Sequence, residues 1–395
     1  MSAAATVPTF NPLDPLALDA QLDDEERLIR DTVRQYVREK FLPVIAEHFE
    51  RGTLPEGIGA DLGKLGLLGM HLEGYGCAGA SATAYGLTCL ELEAGDSGLR
   101  SFCSVQGSLA MYAIHRWGSE EQKERWLPRM AAGETLGCFG LTEPDAGSNP
   151  AAMRTRAKKA GSGWVLNGSK MWITNGSIAD VAVVWARNDD DKVNGFLVEK
   201  DTPGFSAPAM HHKLSLRASV TSELVLDGVE VPEENRLPEA TSLRAPLSCL
   251  NEARFGIVFG AAGAARACYE AALAYARERE QFGKPIASYQ LVQDKLSRML
   301  AEITAMQLLC LRLSELAGDG RLTAGMASLA KMNHAAKARE IVGMARDILG
   351  GNGILLGNHV ARQHADMEAI FTFEGTDSIQ SLIVGREITG LNAIT

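Results

Sequence analysis

Near the C-terminus the segment Phe371–Gln380, FTFEGTDSIQ, joins a carboxylate to aromatics on one side and to a glycine and small polar residues on the other. Phe371 and Phe373 could hold Glu374 in a dry setting and raise its pKa toward that of a working base. The residues that follow read as a turn or helix start whose N–H groups could meet an anion. A loop with one solvated glutamate satisfies the same letters. Upstream, GLRSFCSVQGSLAM places a single Arg100 in a small and apolar context. It could pair with Glu91, Glu93 or Asp96, or its planar guanidinium could recognise a substrate carboxylate.

Three further stretches carry groups suited to ligand contact. CFGLTEPDAGSNP, Cys138–Pro150, reads as a strand followed by a turn, with hydroxyls at Thr142 and Ser148 and N–H groups around Gly147 that could cradle an anion or carbonyl. In KMWITNG, Lys170–Gly176, a strand period of two puts Trp172 and Thr174 on one side, where a flat ring and a hydroxyl could face one ligand or simply pack in a sheet. REREQFGKP, Arg277–Pro285, ends a helix with Arg277, Arg279, Gln281, Phe282 and Lys284. Its cations complement the helix dipole and could equally meet a diphosphate.

Other chemistries find little support. The histidines form no H-E-x-x-H or other ligand cluster, there is no G-x-S-x-G, and GGNGI is not G-x-G-x-x-G after a strand. No metal site, hydrolase elbow or Rossmann nucleotide domain is therefore expected. In a chain of 395 residues, 46% hydrophobic content against 22% charged describes a soluble globular protein, with apolar runs too short to span a bilayer. A formal charge of -10 without a long basic cluster argues against nucleic acid. Seven scattered cysteines without C-x-x-C spacing, and a start lacking a basic or strongly apolar leader, lead to the expectation of a reducing, cytoplasmic setting.

Three regions must position these groups. Residues 1–134 read as a helical domain, with Leu28, Ile29, Val33, Tyr36 and Val37 on one face, and Ser119 and Pro128 as start and bend signals for a later helix. Residues 135–246 read as a β-domain of hairpins, with short Val, Trp, Ile and Leu runs between NGS, NDDD and NG turns. Residues 247–395 read as a four-helix-type bundle, in which Val292, Leu296, Met299, Ile303, Met306 and Cys310 form a stripe and Gly350 and Gly351 stop a helix.

Taken in order, CFGLTEPDAGSNP, KMWITNG, REREQFGKP, ARDILGGNGI and FEGTDSIQ resemble the motif set of the acyl-CoA dehydrogenase family, from about Leu22 to the end. Within it, SGLRSFCSVQGSLAM, LRASVTSELVLDGVEVPEEN and GREITGLNA are most similar to the glutaryl-CoA dehydrogenases. The resemblance implies a mixed α and β fold with helical domains flanking a β-domain, and a homotetramer binding FAD in every subunit. It implies Glu374 as the base that removes the α proton of an acyl-CoA while hydride leaves the β carbon, with the thioester carbonyl held by a ribityl hydroxyl and the Glu374 N–H. Phe139, Leu141, Thr142 and Ser148 would line the flavin and the acyl entrance, with Trp172 and Thr174 beside its ring. Arg279, Gln281, Phe282, Gly350 and Gly351 would meet the diphosphate and adenosine across a subunit boundary, and Thr376 and Ser378 would complete the contacts. Arg100, with Glu93, Ser101 and Phe373, would receive a distal substrate carboxylate. Oxidative decarboxylation of glutaryl-CoA to crotonyl-CoA would follow, with electrons passing to an electron-transferring flavoprotein. Glutaryl-type members commonly carry Tyr before the base and His-Asp-Ile-His after its Gly-Thr; Phe373 and Asp377–Gln380 stand here, which keeps another short acyl-CoA with an anionic tail as the alternative.

Overall fold

The computed structural model describes residues 10–393 and has the expected order of helices, sheet and helices. Helix α1 (Asp24–Tyr36) starts on a reciprocal cap, in which Asp23 accepts from the Glu26 N–H at 2.8 Å and Glu26 accepts from the Asp23 N–H at 3.2 Å. A wide π turn, Val37–Phe41, carries it into α2 (Leu42–Arg51). After α3 (Ile58–Lys64) and the small hairpin β1 (Glu73–Gly74) and β2 (Cys77–Ala78), α4 (Ala82–Gly95) runs buried through the domain. Next, α5 (Ser97–Ser104) passes through a second π turn, Val105–Met111, into α6 (Tyr112–Trp117). Ser119 caps α7 (Glu120–Ala131), and Pro128 lies inside that helix rather than ending it.

The middle sheet has seven strands: β3 (Gly137–Gly140), β4 (Arg156–Ala160), β5 (Gly163–Thr174), β6 (Val181–Arg187), β7 (Val193–Glu199), β8 (Phe205–Ser206) and β9 (Thr221–Pro232). Hairpins account for β4–β5 and β6–β7, as the turn letters imply. However, β3 pairs with β6 in parallel, so the sheet is not built of hairpins alone. Asp180 fixes that crossover by accepting the Leu136 N–H at 2.9 Å just ahead of β3. Alternation along β6 splits the core: Val181, Val183 and Trp185 join the large cluster shared with the helices, while Ala182, Val184 and Ala186 join a smaller one on the other face.

The bundle comprises α8 (Arg244–Glu278), α9 (Gln290–Gly318), α10 (Ala324–Leu349), α11 (His359–Thr372) and α12 (Asp377–Thr389), with a hairpin of β10 (Glu280–Gln281) and β11 (Lys284–Pro285) between α8 and α9. By length and composition α8 could cross a membrane, contrary to the expectation from its short apolar runs, yet 72% of its apolar window is buried in the fold. Close packing explains its composition, since a Cβ on Gly263 would lie 2.0 Å from the Leu90 carbonyl oxygen of α4. In α9, Met299, Ile303, Met306 and Cys310 are buried and Val292 and Leu296 half-buried, as their spacing predicts. Helix α10 stops at Leu349, before Gly350 at φ 58°.

Candidate active site

Helix α11 ends at Thr372, and the turn to α12 presents Glu374 at φ 51°, a left-handed conformation that strains a residue with a side chain. Side chains from three other segments hold the turn there. The Glu374 carbonyl accepts from Arg254 Nε at 3.2 Å and Gln380 Nε2 at 3.0 Å, while the Gly375 carbonyl accepts from Lys331 Nζ at 2.9 Å. Thr376 closes the turn as the N-cap of α12, accepting the Ile379 N–H at 3.3 Å, and Ser378 is exposed on its first turn. Glu374 as a whole is half-buried, but its Oε2 is buried without a hydrogen-bond partner. Burial pushes the Glu374 carboxyl up to about 7, against the pull of Arg100, Arg254 and Lys331 toward the charged form. Burial likewise brings Lys331 down to about 8, opposed by Glu374.

Of the three carboxylates that could pair with Arg100, the structure selects Glu93, whose Oε2 accepts from Arg100 Nε. Glu91 is instead held by Arg266, at 2.7 Å to each oxygen, and by Arg34. Both Arg100 and Glu93 are buried, and Gly260 on α8 makes room for them: a Cβ there would lie 2.6 Å from Glu93 Oε2 and 3.3 Å from Arg100 Nε. Burial disfavours the Arg100 charge, but Glu93 outweighs it and Glu374 adds to the effect, so its pKa stands above the ordinary value. The guanidinium sits 5.5 Å from the centre of the Phe373 ring. Arg100 Nη2, Glu93 Oε1 and Ser101 Oγ are buried without partners, as is Glu374 Oε2. Carboxylate, guanidinium and ring are thus gathered around one region, with hydrogen-bonding capacity left for a ligand.

The sheet supplies a second surface. Strand β5 shifts register against β9 between Lys170 and Ile173, and Trp172 sits in that irregularity at φ 64° with 58% of its surface exposed. Strict alternation is therefore broken where the sequence pattern assumed it, because the bulge turns Trp172 outward between buried Lys170 and Ile173. Thr174 is half-buried on the same strand. Lys170 Nζ donates to Glu143 Oε1 at 2.7 Å and to the Leu141 carbonyl at 3.2 Å, and the Met171 N–H donates to the Thr142 carbonyl at 2.9 Å. These bonds bring the Leu141–Thr142 segment beside Trp172. Ser148 is exposed in the following turn. Phe139 and Leu141 are core side chains, Phe139 lying 5.8 Å from the Trp185 ring. An uncovered indole beside a hydroxyl-bearing strand, with Asn175 Oδ1 and Ser222 Oγ buried and unpaired nearby in sequence and sheet, fits a flat polar heterocycle such as a flavin.

Arg279, Gln281 and Phe282 lie elsewhere in the chain fold. Arg279, at the end of α8, is 25 residues from Arg254, about 37 Å at helical rise, and Gln281 and Phe282 lie beyond it. Gly350 and Gly351 share that end, since Asn352 Nδ2 donates to the Tyr275 hydroxyl at 3.0 Å and the Arg279 N–H donates to the Tyr275 carbonyl at 2.8 Å. Phe282, at φ 52°, is 96% exposed. One chain thus separates these groups from Glu374.

Sequence reasoning missed Arg254, Lys331, Gln380, Gly260 and the Lys170–Glu143 pair. The signal available was a charge placed in an apolar surround: Arg254 opens the buried run Ala253–Ala265, and Lys331 sits among buried Ala327, Ser328, Ala330 and His334.

Three family descriptions match the chain in order: the acyl-CoA dehydrogenase N-terminal domain over residues 23–134, the middle domain over 138–229 and the C-terminal domain over 243–389. An acyl-CoA dehydrogenase of Bacillus subtilis is 35% identical across 93% of this chain and 98% of its own length. The crystal structure of glutaryl-CoA dehydrogenase from Mycobacterium smegmatis is 58% identical with a TM-score of 0.95, covering 97% of this chain and 99% of that one. A structure of a glutaryl-CoA dehydrogenase from the same organism in complex with FADH2 is 54% identical with a TM-score of 0.96, covering 98% of this chain and 100% of that one.

Proposed function

The chain belongs to the acyl-CoA dehydrogenase family, and from that we propose that it converts glutaryl-CoA to crotonyl-CoA and carbon dioxide. The observation that carries the substrate is Arg100: a buried guanidinium with an unpaired Nη2, in the same electrostatic neighbourhood as Glu374. A plain fatty chain would leave that donor unpaired, at a cost of about 1–3 kcal/mol or more for a charged group, whereas a distal carboxylate satisfies it. Likeness to glutaryl-CoA dehydrogenases at 58% and 54% identity supports the same reading.

The cofactor is FAD, which when bound supplies the hydride acceptor for the substrate β carbon. Trp172, Thr174, Thr142 and Ser148 would hold its ring side, with Phe139 and Leu141 behind them and Thr376 and Ser378 completing the contacts. Arg279, Gln281, Phe282, Gly350 and Gly351 would reach the diphosphate and adenosine of a neighbouring subunit's FAD, because their own Glu374 is too distant. That requirement favours a homotetramer over an isolated chain.

Glu374 takes the α proton of the thioester. Its carboxyl, raised by burial to about 7, is basic enough to accept that proton and acidic enough to return it. Arg254, Lys331 and Gln380 fix the turn, so the carboxylate need not reorganise during transfer. Arg100, Glu93 and Ser101 seat the distal carboxylate, and Phe373 walls the chain. In the oxidised acyl group the C–CO2 bond breaks, its electron pair passes into the conjugated thioester as a dienolate, and protonated Glu374 returns its proton to carbon. Electrons would leave through an electron-transferring flavoprotein in a cytoplasmic setting.

Phe373 keeps a second reading in view, since it offers no hydroxyl beside the seat: dehydrogenation of another short acyl-CoA with an anionic tail, the carboxylate being retained. Anaerobic mixing with glutaryl-CoA or butyryl-CoA, followed by mass analysis, separates the readings. Flavin bleaching by glutaryl-CoA with crotonyl-CoA as product is expected; efficient bleaching by butyryl-CoA alone overturns the assignment, and glutaconyl-CoA as the final product selects the second reading.

A further inference from the structure

Besides delivering Glu374 from its end, α11 straps together the helices that carry the acyl-end pair. Gln363 is 1% exposed; its Nε2 donates to the Glu93 carbonyl at 2.6 Å and its Oε1 accepts from Ser97 Oγ at 3.4 Å. Glu93 lies near the end of α4 and Ser97 begins α5, so one side chain bridges the joint between the Glu93 helix and the Arg100 helix. One turn later on the same face, Asp366 accepts the Leu216 N–H at 2.6 Å, drawing in a loop of the sheet domain in which Leu216 stands at φ 50°. At the α4–α5 joint, Asp96 caps α5 by accepting the Gly98 N–H at 2.8 Å. Each aspartate commits Oδ1 to a backbone N–H and leaves Oδ2 buried without a partner.

We propose that Gln363 and Asp366 are positioning residues: Gln363 by bridging the α4–α5 joint and Asp366 by drawing the Leu216 loop onto the same helix face, they set the Glu93–Arg100 pair against Glu374. The joint is ringed by Glu93 from α4, by Arg362 on α11 and by Lys213 from the sheet loop, while Cys268 of α8 and His359 border Arg362. Burial pushes both carboxyls up, and for Asp366 the charges of Asp96 and Glu93 add to it; Arg362 on Asp96 and Lys213 on Asp366 pull the other way without reversing the result. Carboxyls raised in the folded state give stability that is full below their unfolded value, about 4, and lost as pH rises through the folded value. Alkaline pH should therefore loosen the joint among all three regions.

The idea rests on Glu374 as base and Arg100 as anchor, so the holoenzyme variant E374Q serves as reference. D366N keeps an acceptor for Leu216 and removes the ionisable proton at this position. Its melting temperature is expected to fall less than that of wild type between about pH 6 and pH 9; parallel curves overturn Asp366 as the group whose ionisation loosens the joint. Q363L is expected to keep its FAD while its limiting rate of flavin reduction by acyl-CoA drops about tenfold to a hundredfold, since small misplacements at a reacting centre cost that much. A wild-type limiting rate in Q363L, with E374Q inactive, overturns the positioning role alone. Wild-type reduction in E374Q instead overturns the assignment of the base.

Discussion

At Glu374 a side chain is held in a strained backbone conformation by donors aimed at the carbonyls on either side of Gly375 N. Glu374→Gln preserves shape and polarity but cannot take a proton. Flavin reduction in stopped flow should slow by roughly 10²–10⁴-fold, while acyl-CoA binding persists. The rate should also follow ionisation of the base: below a pKa of about 7 it falls close to tenfold per pH unit, and above it the rate levels off. A flat profile between pH 5 and 8 would contradict that sign. Gly260 tests the neighbouring pair, because a methyl 2.6 Å from Glu93 Oε2 must displace it. Gly260→Ala should lower kcat/KM for glutaryl-CoA at least tenfold relative to butyryl-CoA, measured in parallel assays.

Among the elements, β5 carries a buried ion pair that ties it to the Leu141–Thr142 segment. Lys170 is fully buried against Glu143, and burial brings its pKa down to about 8 despite that partner. Lys170→Met would leave Glu143 buried with only the N–H donors of Arg154 and Thr155, at a cost of about 3–5 kcal/mol in chemical denaturation, and should weaken FAD retention as the Leu141–Thr142 segment loosens. These elements also show what local letters convey. The Ser119 cap, the α9 stripe and the glycine stop of α10 are encoded within a few residues, and each was legible. The parallel β3–β6 pairing, the bulge at Trp172 and the approach of Arg254 and Lys331 to the Glu374 turn were not, because each depends on partners dozens of residues away. Glu374 and Arg100 stood out because a charge among apolar neighbours is conspicuous locally; Glu93 became Arg100's partner only through the packing of α4 on α5.

For the molecule as a whole, several exposed apolar side chains share the far end of α8. Phe282 at 96%, Leu291 at 80%, Ile354 at 69% and Leu355 at 54% exposure belong to the hairpin, the start of α9 and the Gly350 turn. Such exposure fits the homotetramer proposed above. Phe282→Asp should shift sedimentation from the proposed tetramer toward smaller species and lower the FAD content per chain; unchanged assembly and flavin would detach this end from both roles.

The wide turn at Val105–Met111 gives the helix from Ser97 to Trp117 two halves that are out of phase. One residue corresponds to about 100° of helical rotation, so the extra residue acts as a dial between Arg100 upstream and the segment that follows. Deleting a single residue there would preserve helix content and swing the guanidinium through more than a quarter of a circle relative to the downstream half. Substrate choice in this chain would then hang on counting, with the chemistry of every remaining side chain unchanged.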